Sequence, residues 1–160
     1  MRKILVMSSM VFVIAGVFGL SIGALVGKEF GGSNRLYVGA TLNSGGLVAV
    51  GLDAYYSVTS FETVGEELQN IQILELDPML LLNFDLEGAS IYAGAGPIIM
   101  FDVDNFQFEL FSMYIVRAKV GASISLGAVS LFVEGSTLGS YNPIMTTGIY
   151  SLQLGVALGL

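Results

Sequence analysis

Apolar side chains recur at every second position from residue 20 onward, in eight separate segments. A period of two puts alternate residues on opposite faces of a β-strand. The aliphatic faces read Leu20, Ile22, Ala24, Val26; Leu36, Val38, Ala40, Leu42; Val48, Val50, Leu52, Ala54, Tyr56; Leu74, Leu76, Leu80, Leu82, Phe84; Ile91, Ala93, Ala95, Ile99, Phe101; Tyr114, Val116, Ala118, Val120, Ala122, Ile124, Leu126; Val129, Leu131, Val133; and Tyr150, Leu152, Leu154, Val156, Leu158, Leu160. The residues between them are mostly small or polar. No helical period competes in this region, so the chain is read as all-β.

The connections add a second regularity. Asn43-Ser44-Gly45-Gly46, Asp85-Leu86-Glu87-Gly88 and Gly127-Ala128 carry the residues that tight hairpins require. Longer links span 31–34, 60–70, 102–105 and 139–146 and alternate with the short ones. Short turns on one side and long loops on the other are the arrangement of bacterial outer-membrane barrels. Pro78 and Pro97 fall in mid-strand, where proline removes a ladder hydrogen bond, and a local bulge is expected at each.

Charge decides which face looks inward. Asp53, Glu75, Asp77, Glu109, Arg117, Lys119 and Glu134 all fall on the polar face of their segments. Charged residues make up only 12% of the chain, about half of ordinary usage. A water-facing surface is normally about a quarter to a third charged. The polar face, built mostly of Gly, Ser, Ala and Tyr, is a poor solvent surface and a good filling for a narrow barrel. Arg117 and Lys119 are expected to pair there with the acidic residues, because unpaired ions are costly to bury. Phe30, Tyr56, Phe101, Phe106 and Tyr150 fall near the long-loop end of the aliphatic face and form an expected outer aromatic girdle, while Phe84 falls at the short-turn end.

The start of the chain has a different character. Met1-Arg2-Lys3 is basic, an apolar run follows from Ile4 to about Leu20, and small residues stand at Gly16, Gly19, Gly23 and Ala24. This is the layout of a secretory signal, with cleavage expected after Gly19 or, as second choice, after Ala24. A retained anchor is the competing reading, since the stretch from Ile4 to Val26 is long enough to span a bilayer. Loss of Arg2 and Lys3 leaves four basic residues against thirteen acidic ones, a net charge of −9. The expected fold is an eight-stranded antiparallel up-and-down transmembrane β-barrel over 20–160, preceded by a signal peptide helix over 1–19.

Composition excludes several chemistries. The chain has no cysteine and no histidine, so a disulfide scaffold, a Cys/His metal cluster, a Ser–His pair and a cysteine nucleophile are ruled out. A net charge of −7 argues against nucleic acid as a partner. Glu75 and Asp77 share a face two residues apart, but they serve more simply as partners of Arg117 and Lys119 than as an acid–base pair. Asp102, Asp104 and Asn105 lack the glycine and terminal glutamate of a calcium-hand loop and read as a solvated turn. Glu62, Glu66 and Glu67 make the 60–70 loop acidic and solvated. Gly94-Ala95-Gly96 lies inside a strand and precedes no helix, so it is no dinucleotide motif.

Leu36-Tyr37-Val38-Gly39-Ala40, Ile91-Tyr92-Ala93-Gly94-Ala95-Gly96-Pro97 and the ending from Tyr150 to Leu160 carry a resemblance. Over the region after the signal, the chain resembles the small outer-membrane β-barrel proteins of bacteria, the opacity-type eight-stranded class. The resemblance implies an outer-membrane location and outer-membrane lipid as partner. The last segment is similar to the family's C-terminal assembly signal, read by the barrel-assembly machinery, although it ends on Leu160 where an aromatic residue is usual. The expectation is a non-enzymatic protein without cofactor or metal, with a structural or surface-interaction role and an unidentified loop partner. A soluble periplasmic β-barrel binding an apolar ligand, or a narrow ion-conducting barrel, is the alternative. Glu75, Arg117 and Lys119 discriminate: on the outside of the sheet they would refute the membrane reading.

Overall fold

The computed structural model describes residues 19–32, 34–111, 114–141 and 144–159. The expected signal segment before residue 19, and Leu160, lie outside them. Ten segments follow in order: β1 (Leu20–Phe30), β2 (Leu36–Ser44), β3 (Val48–Val58), β4 (Ile73–Leu86), β5 (Ala89–Pro97), β6 (Ile99–Asp102), β7 (Gln107–Leu110), β8 (Ile115–Leu126), β9 (Val129–Tyr141) and β10 (Ile144–Gly159). A short helix α1 (Val64–Glu67) and a 3₁₀ turn (Leu68–Asn70) lie in the loop between β3 and β4.

Neighbouring staves of the sheet pair antiparallel, and β1 pairs with β10, so the sheet closes on itself. The ten segments make eight staves, because β5 and β6 form one and β7 and β8 another. Walking the register from Leu20 runs through Ser44, Val50, Leu80, Ala95, Ala118, Thr137 and Tyr150 and returns to β1 at Phe30. Ser44 and Val50 are joined on that path by a bond from the Val50 N–H to Ser44 Oγ. The stagger from Leu20 to Phe30 is ten residues, which tilts the strands and fixes an interior just wide enough for side chains.

Side-chain alternation sorts cleanly into wall and lumen. Val50, Leu80, Leu82, Ile91, Val120, Ile124, Leu131, Leu152, Leu154 and Leu158 are exposed on the outside, whereas Tyr37, Asp53, Tyr55, Asp77, Leu81, Arg117, Lys119, Glu134 and Gln153 are buried within. Along the described strands the outward face carries no charge apart from Lys28, which sits at the long-loop end of β1 between Leu36 and Leu152, with its ammonium 5.6 Å from the Phe30 ring. There the long stem lies on apolar surface while the charge reaches the rim.

The short turns keep the geometry their composition demands. Gly46, Gly88 and Gly127 have φ of 107°, 75° and 73°, a region that side chains with a Cβ rarely enter. One of the four long links is shorter than expected. The 139–146 stretch is mostly strand, since β9 runs to Tyr141 and β10 begins at Ile144, and the irregularity instead falls between Thr146 and Tyr150, where Gly148 has φ 75°.

The two expected bulges are also absent. Leu80 faces Ala95 and Leu76 faces Ile99, so the register passes the prolines unshifted and sets Pro78 opposite Pro97. The two missing N–H groups fall at one point of one ladder, which opens locally without an extra residue. Gly96 lies in this gap, and a Cβ there would collide with the Pro78 carbonyl oxygen.

Candidate functional site

The charged interior is built by inward-facing residues of β3, β4, β8 and β9, with Glu29 of β1 nearer the mouth. Lys119 on β8 bridges Asp53 on β3 at 2.6 Å and Glu134 on β9 at 3.0 Å. Arg117, two residues earlier, reaches Glu75 with one amino group, and its Nε lies 2.5 Å from Asp77 Oδ2. All six side chains are buried. Glu109 does not join them. It is exposed on β7 above the barrel mouth, opposite Met100, because β7 continues the stave outward past the lumen.

Other residues complete the network. Arg35 donates from the mouth to Glu29 at 3.0 Å and to Glu75 at 2.8 Å. Gln153 on β10 donates to Glu134 and accepts from the Tyr37 hydroxyl at 3.0 Å. The Tyr55 hydroxyl donates to Asp53 and the Tyr92 hydroxyl to Glu134, at 3.0 and 2.7 Å. The same rings take up cationic charge: the Arg117 guanidinium lies 5.2 Å from the Tyr55 centroid and the Lys119 ammonium 5.9 Å from that of Tyr92. Four carboxylates thus share two buried cations, with Arg35 as a third at the rim. Asp53 Oδ1 and both Asp77 oxygens accept no hydrogen bond from the described residues, although Asp77 keeps its ionic contact with Arg117.

Glu29 and Gln153 were detectable by counting on from the polar faces of their strands, and Tyr37, Tyr55 and Tyr92 already alternate on those faces. Arg35 lies in a link, where parity gives no orientation.

This layer closes the middle of the barrel. Below it a cavity of about 320 Å³ opens among the short turns, lined by Ser21, Asn43, Asn83, Ser90, Ser123 and other residues. Above it a cavity of about 190 Å³ is lined by Glu29, Arg35, Glu75, Met100, Arg117 and others. The two ends are separated by salt-bridged side chains and by Leu81 and Met79, all buried.

Cross-strand glycines make room for the rings. Tyr37 faces Gly27, Tyr55 faces Gly39, Tyr92 faces Gly121 and Phe132 faces Gly155. At Gly27, Gly121 and Gly155 the ring occupies the space a Cβ would need, and at Gly39 the Ala54 carbonyl oxygen does.

At the rim, Phe30 and Tyr150 are cross-strand partners and half-exposed on the wall, and Tyr56 stands at the same end of β3. Phe101 continues the outward face on β6, stacked on Phe108 with centroids 4.5 Å apart. Phe106 is not on the wall. It occupies the tip of the β6–β7 hairpin with φ 53°, is 78% exposed, and meets Phe101 edge to face.

The remaining motifs have local roles. Asn105 donates its backbone N–H and its side-chain amide to Asp102, each at 2.9 Å, forming a turn. Among the described residues no group of three acidic side chains is placed to hold a metal ion. Glu67 accepts from Thr63 Oγ1 and the Thr59 N–H, which fastens α1 to the end of β3 and holds the carboxyl below the usual carboxylate range.

No family model matches the chain, and no curated protein matches it. Solved structures do. A designed transmembrane β-barrel superposes with a TM-score of 0.58 at 14% identity, covering 89% of this chain and 95% of its own. The solution structure of a second designed barrel gives 0.55 at 16%, covering 89% and 94%. The N-terminal β-barrel domain of Pseudomonas aeruginosa OprF gives 0.54 at 14%, covering 89% and 97%. At these identities what is shared is the fold, and the chain has the closed eight-stranded fold of the small transmembrane β-barrels.

Proposed function

We propose that the chain is a non-enzymatic β-barrel of a bacterial outer membrane, exported by its N-terminal segment, with a structural or surface-interaction role in which the long loops are presented from a side-chain-filled barrel. One observation carries the reading: a closed barrel with an aliphatic wall all round and its buried ions inside. In water this would expose Leu, Ile and Val over the whole circumference. In a bilayer the same wall faces acyl chains, and closure leaves no unpaired strand edge in the hydrocarbon. The fold shared with OprF's barrel domain and the designed transmembrane barrels supports the same placement. The soluble alternative needed Glu75, Arg117 and Lys119 on the outside of the sheet, and they point inward. The buried layer across the lumen favours an inert scaffold over an ion-conducting barrel. β10 presents Tyr150, Leu152, Leu154, Val156 and Leu158 outward while closing against β1, which suits it to docking on the assembly machinery.

The absence of cysteine gives a direct test. Single-cysteine variants Glu62→Cys, Glu87→Cys and Leu154→Cys, expressed in a Gram-negative host, are treated with a membrane-impermeant maleimide. Position 62 is expected to react on intact cells, position 87 only after the outer membrane is permeabilised, and position 154 in neither case. The protein is expected in the membrane fraction with heat-modifiable mobility on a detergent gel. A soluble periplasmic protein without that shift would overturn the proposal.

A further inference from the structure

The β6–β7 hairpin has two chemically distinct faces. Cross-strand pairing puts Ile99 with Leu110 and Phe101 with Phe108 on one face, and Met100 with Glu109 and Asp102 with Gln107 on the other. The apolar face continues the barrel wall, because Ile99 and Phe101 pair with the outward residues Leu76 and Leu74 of β4. It is also unusually bare: Phe108 is 66% exposed and Leu110 48%. β7 is exposed along its whole length, and among the described residues no strand pairs with its other edge.

A second feature lies directly below. Leu110 pairs with Ile99, whereas Val116 pairs with Pro97. Two steps down one stave therefore correspond to six residues on the other, so residues 111–114 are extra. Of the described residues of this insertion, Tyr114 is 48% exposed, while Phe111, 54% exposed, donates its N–H to the Ile98 carbonyl and borders the cavity that Glu29, Arg35 and Arg117 line. Four aromatic residues, Phe101, Phe106, Phe108 and Tyr114, thus stand in one sector of the outer rim, where Phe30 with Tyr150 marks another.

We infer that the apolar face of the β6–β7 hairpin lies against the lipid of the outer leaflet, as a lipid-bound extension of the barrel wall and not as a loop raised into water for a protein partner. The inference rests on the membrane reading above. Aromatic rings concentrate at headgroup level, where an apolar body and a polar edge are both accommodated. The sidedness supplies the direction: the aromatic face is continuous with the lipid wall, and the acidic face, with Asp102 and Glu109, turns to the water above the mouth. A ribbon standing free in solution has no reason to keep its aromatic and acidic residues on separate faces. Lipid contact also covers a ribbon that would otherwise be marginal in water.

The absence of tryptophan makes each introduced indole the only one. Phe108→Trp, Gln107→Trp and Leu154→Trp are folded into phosphatidylcholine vesicles, with heat-modifiable mobility as the check on folding, and Leu110→Trp, on the same face, replaces Phe108→Trp should that variant fail to fold. Emission is read with lipids brominated near the headgroup end of the acyl chain, with lipids brominated deeper, and with aqueous iodide. Tryptophan at 108 is expected to emit blue-shifted light, to lose emission to shallow bromine and to resist iodide, while tryptophan at 107 is quenched by iodide. Water-like emission at 108, quenched by iodide and untouched by bromine, would overturn the inference while position 154 still responds to deep bromine. Shielding of 108 from both quenchers would mean a protein, such as a second copy, covers the face, and would overturn it as well. If position 154 is also untouched by bromine, the membrane reading itself falls.

Discussion

Replacing Lys119 with methionine tests whether the interior ions are held as a network. The side chain is 1% exposed, and its ammonium lies 2.6 Å from Asp53 and 3.0 Å from Glu134. Methionine keeps most of the side-chain volume and removes the charge. Among the described residues, Asp53 then retains the Tyr55 hydroxyl, and Glu134 retains Gln153 and the Tyr92 hydroxyl. Breaking a buried ion pair by removing one partner costs about 3–5 kcal/mol, because the remaining charge stays desolvated. At 1.4 kcal/mol per tenfold, that is roughly two to three and a half powers of ten in the folded-to-unfolded ratio. The assay is reversible urea unfolding in phospholipid vesicles, read by loss of the compact band on an unheated gel. The decisive control is the triple variant Lys119→Met, Asp53→Asn, Glu134→Gln, which removes the stranded charges along with the cation. It is expected to recover most of the loss, since neutral replacement of a whole buried ionic group is often close to neutral in stability. A single variant as stable as the parent, or a triple variant as unstable as the single one, would refute the assignment of these residues to one buried ionic group.

Three further outcomes are expected. Gly121→Ala places a methyl 2.5 Å from Tyr92 Cζ and drives that ring off Glu134; a loss of about 1–3 kcal/mol in the same unfolding assay is expected, and Tyr92→Leu in the same chain should relieve the clash. Leu154→Arg, midway along the outward run of β10 from Tyr150 to Leu158, should cost about 2–4 kcal/mol in a bilayer, and equal stability of parent and variant in vesicles would count against lipid contact there. Glu67 is held below the usual carboxylate range by Thr63 and Thr59, so its contribution to the loop is present above the ordinary carboxylate pKa and is lost as pH falls through the lower folded value; the Thr59 amide shift, followed by NMR, should titrate with that lowered midpoint and lose its transition in Glu67→Gln.

Parity explains both what the residues disclosed and what they withheld. A period of two assigns a face to every strand residue, so Asp53, Glu75, Asp77, Arg117, Lys119 and Glu134 were readable as lumen residues without knowledge of any pairing. Glu109 shows the limit. Its parity matches that of Arg117, and the four-residue insertion between β7 and β8 is even and preserves it. The polar face was therefore correct, but height along the axis comes from the register with β6, which no local pattern encodes. Pro78 and Pro97 show the same limit. Each taken alone calls for a bulge, and only the register of β4 against β5 shows that one interruption of the ladder accommodates both.

The glycines extend this argument from placement to packing. Read along one strand, Gly27, Gly39, Gly121 and Gly155 look like small lumen residues, interchangeable with serine or alanine. Read across the ladder, each stands opposite a ring. At Gly27, Gly121 and Gly155 the ring lies over the neighbouring backbone where a Cβ would stand, and at Gly39 the Ala54 carbonyl oxygen takes that space, so a side chain at any of the four would have to displace its neighbour. The arrangement also fixes where the hydroxyls end. Tyr37, flat over Gly27, reaches Gln153, and Tyr92, flat over Gly121, reaches Glu134. The glycines thus act on the ion network at one remove, by setting the ring positions from which its carboxylates and amides receive their neutral donors.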